Sequence, residues 1–192
     1  MADWRLEVLG GARLLGLSDP IALQRRTAAV LAYLALEGPT PKYRLAGLLW
    51  PDSDEEKARN NMRQLLHRLR VAAGAELVVG GDVVALSDRV VSDAVQLEAH
   101  VFAGRNAEAL ALAGTLLAPL DFDDCPDFAA WLTEARDQLE ALRRRAAGAE
   151  ADAREQRGDS AGRHRRGRAA PRPRPVLGGG LSPPHAPALR GR

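Results

Sequence analysis

Cysteine and aromatic residues are scarce in this sequence. Cys125 is the single cysteine among 192 residues, which excludes an internal disulfide and leaves no cysteine cluster for a zinc or iron–sulfur site. Aromatic residues make up 4% of the chain while hydrophobic residues make up 46%, so a core must be built from Leu, Val and Ala. We therefore expect a globular, helix-rich protein of a reducing compartment.

A long hydrophobic run and a basic leader are also missing. No apolar stretch approaches the roughly 20 residues that a membrane span needs. The segment from Met1 to Gly11 carries Asp3 and Glu7 and has no basic leader region. These features predict a cytoplasmic protein that does not contact a membrane, and a length of 192 residues suits two small domains.

Charge is nearly balanced overall but is unevenly distributed. The formal net charge is +2. Residues 158–192 contain eight arginines and one acid, whereas residues 1–157 contain 19 basic and 24 acidic side chains. The bulk charge is therefore no argument for nucleic-acid binding by the first 157 residues, and only a local basic face could support it.

Up to residue 90, the sequence predicts a β-hairpin, three helices and a second β-hairpin. Apolar residues alternate on both sides of Gly10-Gly11, as in a hairpin with a glycine turn. A second glycine pair, followed by Asp82, separates two valine-rich strands. The three helices lie between the hairpins, at Ile21–Glu37, Thr40–Leu49 and Ser53–Ala73. This order is typical of the winged helix-turn-helix, whose third helix enters the major groove of DNA.

The third predicted helix has the clearest start and two distinct faces. Ser53 and Glu56 form a capping box, and Thr40 is expected to cap the helix before it. One face is an apolar stripe directed at the core, made of Ala58, Met62, Leu65, Leu66, Leu69 and Ala72. The opposite face is basic and rich in amides, with Lys57, Arg59, Asn60, Arg63, Gln64, His67, Arg68 and Arg70.

These eight side chains are the candidate contacts to double-stranded DNA. Arg63 can bond guanine, and Asn60 and Gln64 can bond adenine, at base edges in the major groove. His67 could contact a phosphate or a base. The flanking cations would neutralise phosphates: Lys57, Arg59, Arg68 and Arg70. Any solvated amphipathic helix can present such a face, but the hairpin that follows this one favours DNA binding.

Beyond residue 90 the pattern is helical, and no catalytic motif is present. Helices are predicted at Val95–Phe102, Asn106–Leu117 and Pro126–Arg157. The loop before the last helix is acidic, but Asp121, Asp123, Asp124 and Asp127 lack the glycine and terminal glutamate of a calcium loop. Since nucleophile motifs and acid–base pairs are also missing, we predict no enzyme activity, no cofactor and no metal.

Two segments resemble the antibiotic-regulatory-protein family of bacterial transcriptional activators. They are LAGLLWP, from Leu45 to Pro51, and ARNNMRQLLHRLR, from Ala58 to Arg70. This family joins a response-regulator type winged helix to a transcriptional activator domain of tetratricopeptide-like helices, which residues 93–157 resemble. The resemblance implies promoter binding as a homodimer, with the helix Ser53–Ala73 in the major groove and contacts to RNA polymerase.

The expected fold class is an α+β winged helix-turn-helix followed by an all-α tetratricopeptide-like domain and a disordered tail. The corresponding ranges are residues 1–90, 91–157 and 158–192. The tail is rich in Arg, Pro and Gly and replaces the helix pairs that the family would have there. One hypothesis is that residues from about Ser160 are an out-of-frame product, and the other is that they form a basic tail with nonspecific DNA affinity.

Two functions from different classes remain open at this point. The first is a transcription regulator that reads a promoter. The second is a tetratricopeptide-like scaffold that binds only proteins and has lost DNA recognition. The salt dependence of binding to duplex DNA separates them, because it is steep for the first and absent for the second.

Overall fold

The computed structural model describes residues 3–16 and 19–167, with side chains up to residue 157. Contacts divide the chain into two compact units, Met1–Arg154 and Glu155–Arg192. In the second unit, the described residues continue the helix that begins at Pro126. The first unit contains the predicted winged helix and nearly all of the predicted helical domain, so a boundary at residue 90 stays a prediction.

The described residues form six helices and seven short strands. The helices are α1 (Arg25–Glu37), α2 (Lys42–Leu49), α3 (Glu55–Ala73), α4 (Asp93–Phe102), α5 (Asn106–Ala111) and α6 (Pro126–Gly167). The strands are β1 (Trp4–Glu7), β2 (Arg13–Leu15), β3 (Ile21–Ala22), β4 (Thr40–Pro41), β5 (Val78–Gly80), β6 (Val83–Leu86) and β7 (Val90–Ser92). They pair into a four-stranded sheet, β3-β2-β1-β7, and a three-stranded sheet, β4-β6-β5. The result is a winged helix followed by a helical region.

The first predicted hairpin is confirmed as β1 and β2. These strands pair antiparallel with Leu6 opposite Leu14, and both leucines are buried in the core. The predicted start of the first helix at Ile21 is wrong, because Ile21 pairs with Leu14 as part of β3. The buried helical run begins at Ala28, so the segment before Arg25 is free to extend the sheet.

The predicted cap of the second helix is also wrong. Thr40 and Pro41 form β4, which pairs with β6 of the second hairpin. The Thr40 hydroxyl donates to the carbonyl of Gly38 over 3.0 Å, and α2 begins at Lys42. Strand pairing therefore overrides the local capping signal and connects the start of α2 to the hairpin.

The second predicted hairpin is confirmed as β5 and β6, which we call the wing (Val78–Leu86). Val78 lies opposite Leu86, and Gly80 lies opposite Val84. Gly80 has φ +113°, a conformation that side-chain-bearing residues rarely adopt, whereas Gly81 is surrounded by open space. The turn therefore requires glycine at position 80 but not at position 81.

Gly80→Ala is expected to lower the free energy of unfolding by about 1–2 kcal/mol, since left-handed backbone is costly for an L-residue. The new Cβ would also meet the Val83 carbonyl oxygen. Urea denaturation of the purified variants measures the change. Gly81→Ala is the matched control and should stay within about 0.5 kcal/mol of the wild type. Equal losses for the two variants would contradict the turn geometry.

A buried carboxylate links the first sheet to the helical region. β7, which the sequence analysis missed, pairs parallel with β1 and leads directly into Asp93 at the start of α4. The Asp93 side chain accepts hydrogen bonds from the backbone N–H groups of Val8 at 3.0 Å, Leu9 at 3.0 Å and Ala94 at 2.8 Å. Burial raises the pKa of Asp93, and these three donors oppose the shift.

The helical region differs from its prediction at three ends, and the first is the start of α4, at Asp93 instead of Val95. α5 stops at Ala111 instead of Leu117, because Gly114 takes φ +113° and Leu116 bridges to Leu9. α6 begins at Pro126 as predicted but continues through 158–167, which were expected to be disordered. That segment contains no proline, and its three arginines favour helix, although its three glycines do not. The rest of the predicted tail, 168–192, lies outside the described residues.

Trp131 attaches α6 to α1. Its ring centroid lies 4.7 Å from that of Tyr33 and 5.1 Å from that of Phe128. Its indole N–H donates to the Glu37 carboxylate over 2.7 Å. Trp50, at the end of α2, is partly buried and lies under the Arg26 guanidinium. Both tryptophans thus pack against the core.

Candidate nucleic-acid interface

The basic face of α3 is exposed along its whole length. All eight side chains predicted to contact DNA are exposed to solvent: Lys57, Arg59, Asn60, Arg63, Gln64, His67, Arg68 and Arg70. The other side of the helix is packed against the core through Ala58, Met62, Leu65 and Leu69. Leu66 is only half-buried and Ala72 is exposed, so the buried stripe is narrower than predicted. The helix therefore presents the face that the sequence assigns to DNA.

Both ends of α3 are capped by local interactions. The side chain of Asp54 accepts a hydrogen bond from the backbone N–H of Lys57 over 2.7 Å, so Asp54 is the N-cap and the predicted cap Ser53 is not. Glu55 and Glu56 lie in the first turn, where negative charge favours the helix dipole. Gly74 ends the helix in the left-handed conformation with φ +63°.

Asp54→Ala should lower the free energy of unfolding by about 1 kcal/mol, because an unpaired N–H is left at the start of α3. Ser53→Ala is the comparison, and it should change stability by less than about 0.5 kcal/mol. Thermal unfolding followed by circular dichroism distinguishes the two caps. A larger loss for Ser53→Ala would restore the cap that the sequence predicted.

A groove of about 790 Å³ separates α3 from the wing and from the start of α2. Four of the predicted contacts line it: Arg59, Arg63, His67 and Arg70. Lys57 and Asn60 line a second hollow at the start of α3, which Arg59 and Arg63 share with the groove. Gln64 and Arg68 line neither. Six of the eight predicted contacts therefore line a hollow.

Acidic side chains balance some of the positive charge around the groove. Glu55, one turn earlier on α3, forms an ion pair with Arg59. Glu76 and Asp82 line the groove from the wing side. Within the described residues, Arg63 has no ion pair. Arg70, which also lines the groove, has no ion pair among the described residues either, so both arginines are suited to bind a new anion or base.

Two groove residues escaped the sequence analysis. Lys42 and Tyr43 begin α2 and face the same groove as the α3 cations. The tyrosine side chain is 69% exposed. The available sequence signal was weak, because α2 is short and its leucines alone defined its orientation. The position of Lys42 and Tyr43 in the groove follows only from the pairing of β4 with β6, which brings the start of α2 beside the wing.

The acidic loop before α6 is occupied by protein cations. The Asp124 carboxylate accepts hydrogen bonds from the Arg25 guanidinium at 2.6 and 2.7 Å and from Arg26 at 2.9 Å. The hydrogen bonds from Arg25 hold the pKa of Asp124 below its ordinary value. A search of the described residues finds no cluster of three acidic, histidine or cysteine ligands that could hold a metal ion. The loop thus serves as a contact to α1.

None of the helices in the described part of the chain is both long enough and apolar enough to cross a membrane. The two helices over 18 residues, α3 and α6, both carry many charged side chains.

Comparison with solved structures finds the same fold in EmbR of Mycobacterium tuberculosis, determined in complex with a low-affinity phosphopeptide. The match has a TM-score of 0.51 and 19% sequence identity, and it covers 85% of this chain. The chain spans about half of that EmbR chain, 51% of its length. No protein-family model matches the sequence. A search of curated proteins finds no match either.

Proposed function

We propose that this chain is a sequence-specific DNA-binding transcriptional regulator that activates its promoters. The observation that carries the proposal is the exposure of all eight predicted contact residues on α3, beside a glycine-turned wing. A helix with one buried and one basic, amide-rich face fits the width of the major groove. The likeness to EmbR supports the winged-helix fold on which this proposal depends.

The eight residues divide into two roles. Asn60, Arg63 and Gln64 lie on the part of the face that points straight away from the core, where base edges would be met. The flanking cations contact the sugar–phosphate backbone and fix the register of the helix: Lys57, Arg59, Arg68 and Arg70. His67 lies between the two groups and contacts either a phosphate or a base. In this proposal the chain acts by binding duplex DNA and carries out no catalytic step.

The proposal includes two protein partners. A second copy of the chain binds beside the first on DNA, and RNA polymerase is contacted through the helical region that begins with α4. Both follow from the resemblance of LAGLLWP and ARNNMRQLLHRLR to the antibiotic-regulatory-protein family. The same resemblance makes the cytoplasm of a bacterium the site of action.

Salt-dependent binding to duplex DNA tests this function. The wild-type chain should bind duplex DNA with a plot of log affinity against log salt that has a slope of about −3 to −4, as expected for about four neutralised phosphates. Fluorescence anisotropy with labelled random-sequence DNA gives the slope. A flat dependence, or no binding at low salt, would overturn the proposal.

A protein-binding scaffold is the second candidate, and one observation favours it. Val95 and Phe102 lie two turns apart on α4 and are 36% and 72% exposed, which places apolar surface on the outside of the helical region. A scaffold of this kind would bind proteins through α4 and show no salt-dependent affinity for DNA. The slope measurement therefore separates the two candidates.

A further inference from the structure

We infer that Lys42 and Tyr43, at the start of α2, bind DNA phosphate across the groove from α3, in place of cations on the wing. The inference rests on the proposed DNA-binding function and adds a contact site to it. Neither residue belongs to the face of α3 that the sequence identifies.

The wing itself is unsuited to neutralising phosphate through its side chains. From Leu77 to Asp88 the sequence contains no lysine or arginine. The acidic residues Glu76 and Asp82 both line the groove from this side. Since like charges repel, these two carboxylates disfavour a phosphate close to the wing side of the groove. The cations that neutralise a DNA backbone in the groove must therefore come from elements other than the wing.

The start of α2 supplies that charge at the right place. Lys42 and Tyr43 line the groove together with Arg59, Arg63 and Arg70, so one ligand in the groove can touch all five. The backbone N–H of Lys42 donates to the Asp82 carbonyl over 2.8 Å, which fixes the start of α2 against the wing turn.

Tyr43 is one of two aromatic residues, with Phe102, that are more than half exposed in the described part of the chain. Aromatic residues make up only 4% of the sequence, yet the Tyr43 side chain is 69% exposed at the groove. An exposed tyrosine presents both an apolar ring and a polar hydroxyl to whatever occupies the groove. Tyrosine hydroxyls donate hydrogen bonds to DNA phosphate oxygens, and lysine ammonium groups neutralise them.

Charge-deleting and charge-keeping variants at position 42 test the inference with random-sequence duplex DNA. Lys42→Met removes the charge and keeps the apolar stem. It should weaken binding about tenfold at low salt, consistent with the loss of one charge-assisted hydrogen bond, and reduce the magnitude of the salt slope by about 0.9, as for one phosphate. Lys42→Arg should retain the wild-type slope. A purely structural role of the side chain would leave the slope unchanged in both variants, so the reduced slope of Lys42→Met is the diagnostic result.

Tyr43 would make an uncharged contact to phosphate, so a substitution there should affect the salt slope differently from Lys42→Met. Tyr43→Phe should weaken binding a few-fold with an unchanged salt slope, because a hydroxyl releases no counterion. Arg144→Ala is the control, since Arg144 is an exposed cation on α6 outside the groove, and it should bind like the wild type.

The salt slopes of the wild type and the variants distinguish a failure of the α2 contact from a failure of the proposed DNA-binding function. If the wild type binds with a steep slope and Lys42→Met keeps that slope, the α2 contact is wrong and the DNA-binding function stands. If the wild type shows no salt-dependent binding, both fall. If Lys42→Met and Arg144→Ala lose affinity equally, the effect is general charge and the contact site is also wrong.

Discussion

Asp93→Ala is expected to lower the free energy of unfolding by about 3–5 kcal/mol, a larger loss than that expected for Gly80→Ala or Asp54→Ala. Each buried N–H that loses its acceptor costs about 1–3 kcal/mol. Asp93 accepts from Val8, Leu9 and Ala94, and its side chain is almost fully buried. The change should appear as a lower urea midpoint with an unchanged m-value.

Two further variants make the stability measurement decisive. Asp93→Asn retains one acceptor oxygen and should lose less than Asp93→Ala. Asp88→Ala, at an exposed position five residues earlier, should stay within about 0.5 kcal/mol of the wild type. If Asp93→Ala is as mild as Asp88→Ala, the carboxylate does not hold the first sheet to α4.

Arg63→Ala is expected to weaken binding to the preferred DNA sequence by about 1–3 kcal/mol, or roughly 5- to 150-fold. The preferred sequence is the one that the purified chain selects from random DNA. Arg63 is exposed on α3, lines the groove and lacks an ion pair within the described residues, so its guanidinium is free to read a base. Binding to random DNA should fall much less, so specificity should relax.

Arg68→Ala is the matched comparison on the same helix. Arg68 is exposed but lies outside the groove, and as a phosphate contact it should lose affinity equally on preferred and random DNA. The diagnostic quantity is the ratio of the two affinities for each variant. An unchanged ratio for Arg63→Ala would contradict its assignment as a base-reading residue.

Much of the interface was predictable because it depends on one strongly periodic helix. The stripe of Met62, Leu65 and Leu69 is apolar at helical spacing, so the direction of the opposite face follows from the sequence alone. The wing was equally clear, since a glycine turn between valine-rich strands has few alternatives. Local patterns of this kind determine the elements that carry the proposed function.

The features that were missed depend on pairing between distant segments. Thr40 has the local signature of an N-cap, but its segment pairs with β6, more than 40 residues later. Val90–Ser92 is too short to be recognised as a strand, and its parallel partner is at the start of the chain. Because no local signal reports these pairings, Lys42 and Tyr43 were not identified as groove residues.

The most direct test of the account is to observe which protein groups lie against DNA bases in solution. Isotope-edited NMR of the chain bound to its preferred duplex should give contacts from the side-chain N–H groups of Asn60, Arg63 and Gln64 to base protons of the major groove. The amide signals of α3 should shift most. If α3 is unchanged and the shifts gather on α4 around Val95 and Phe102, α3 does not read DNA.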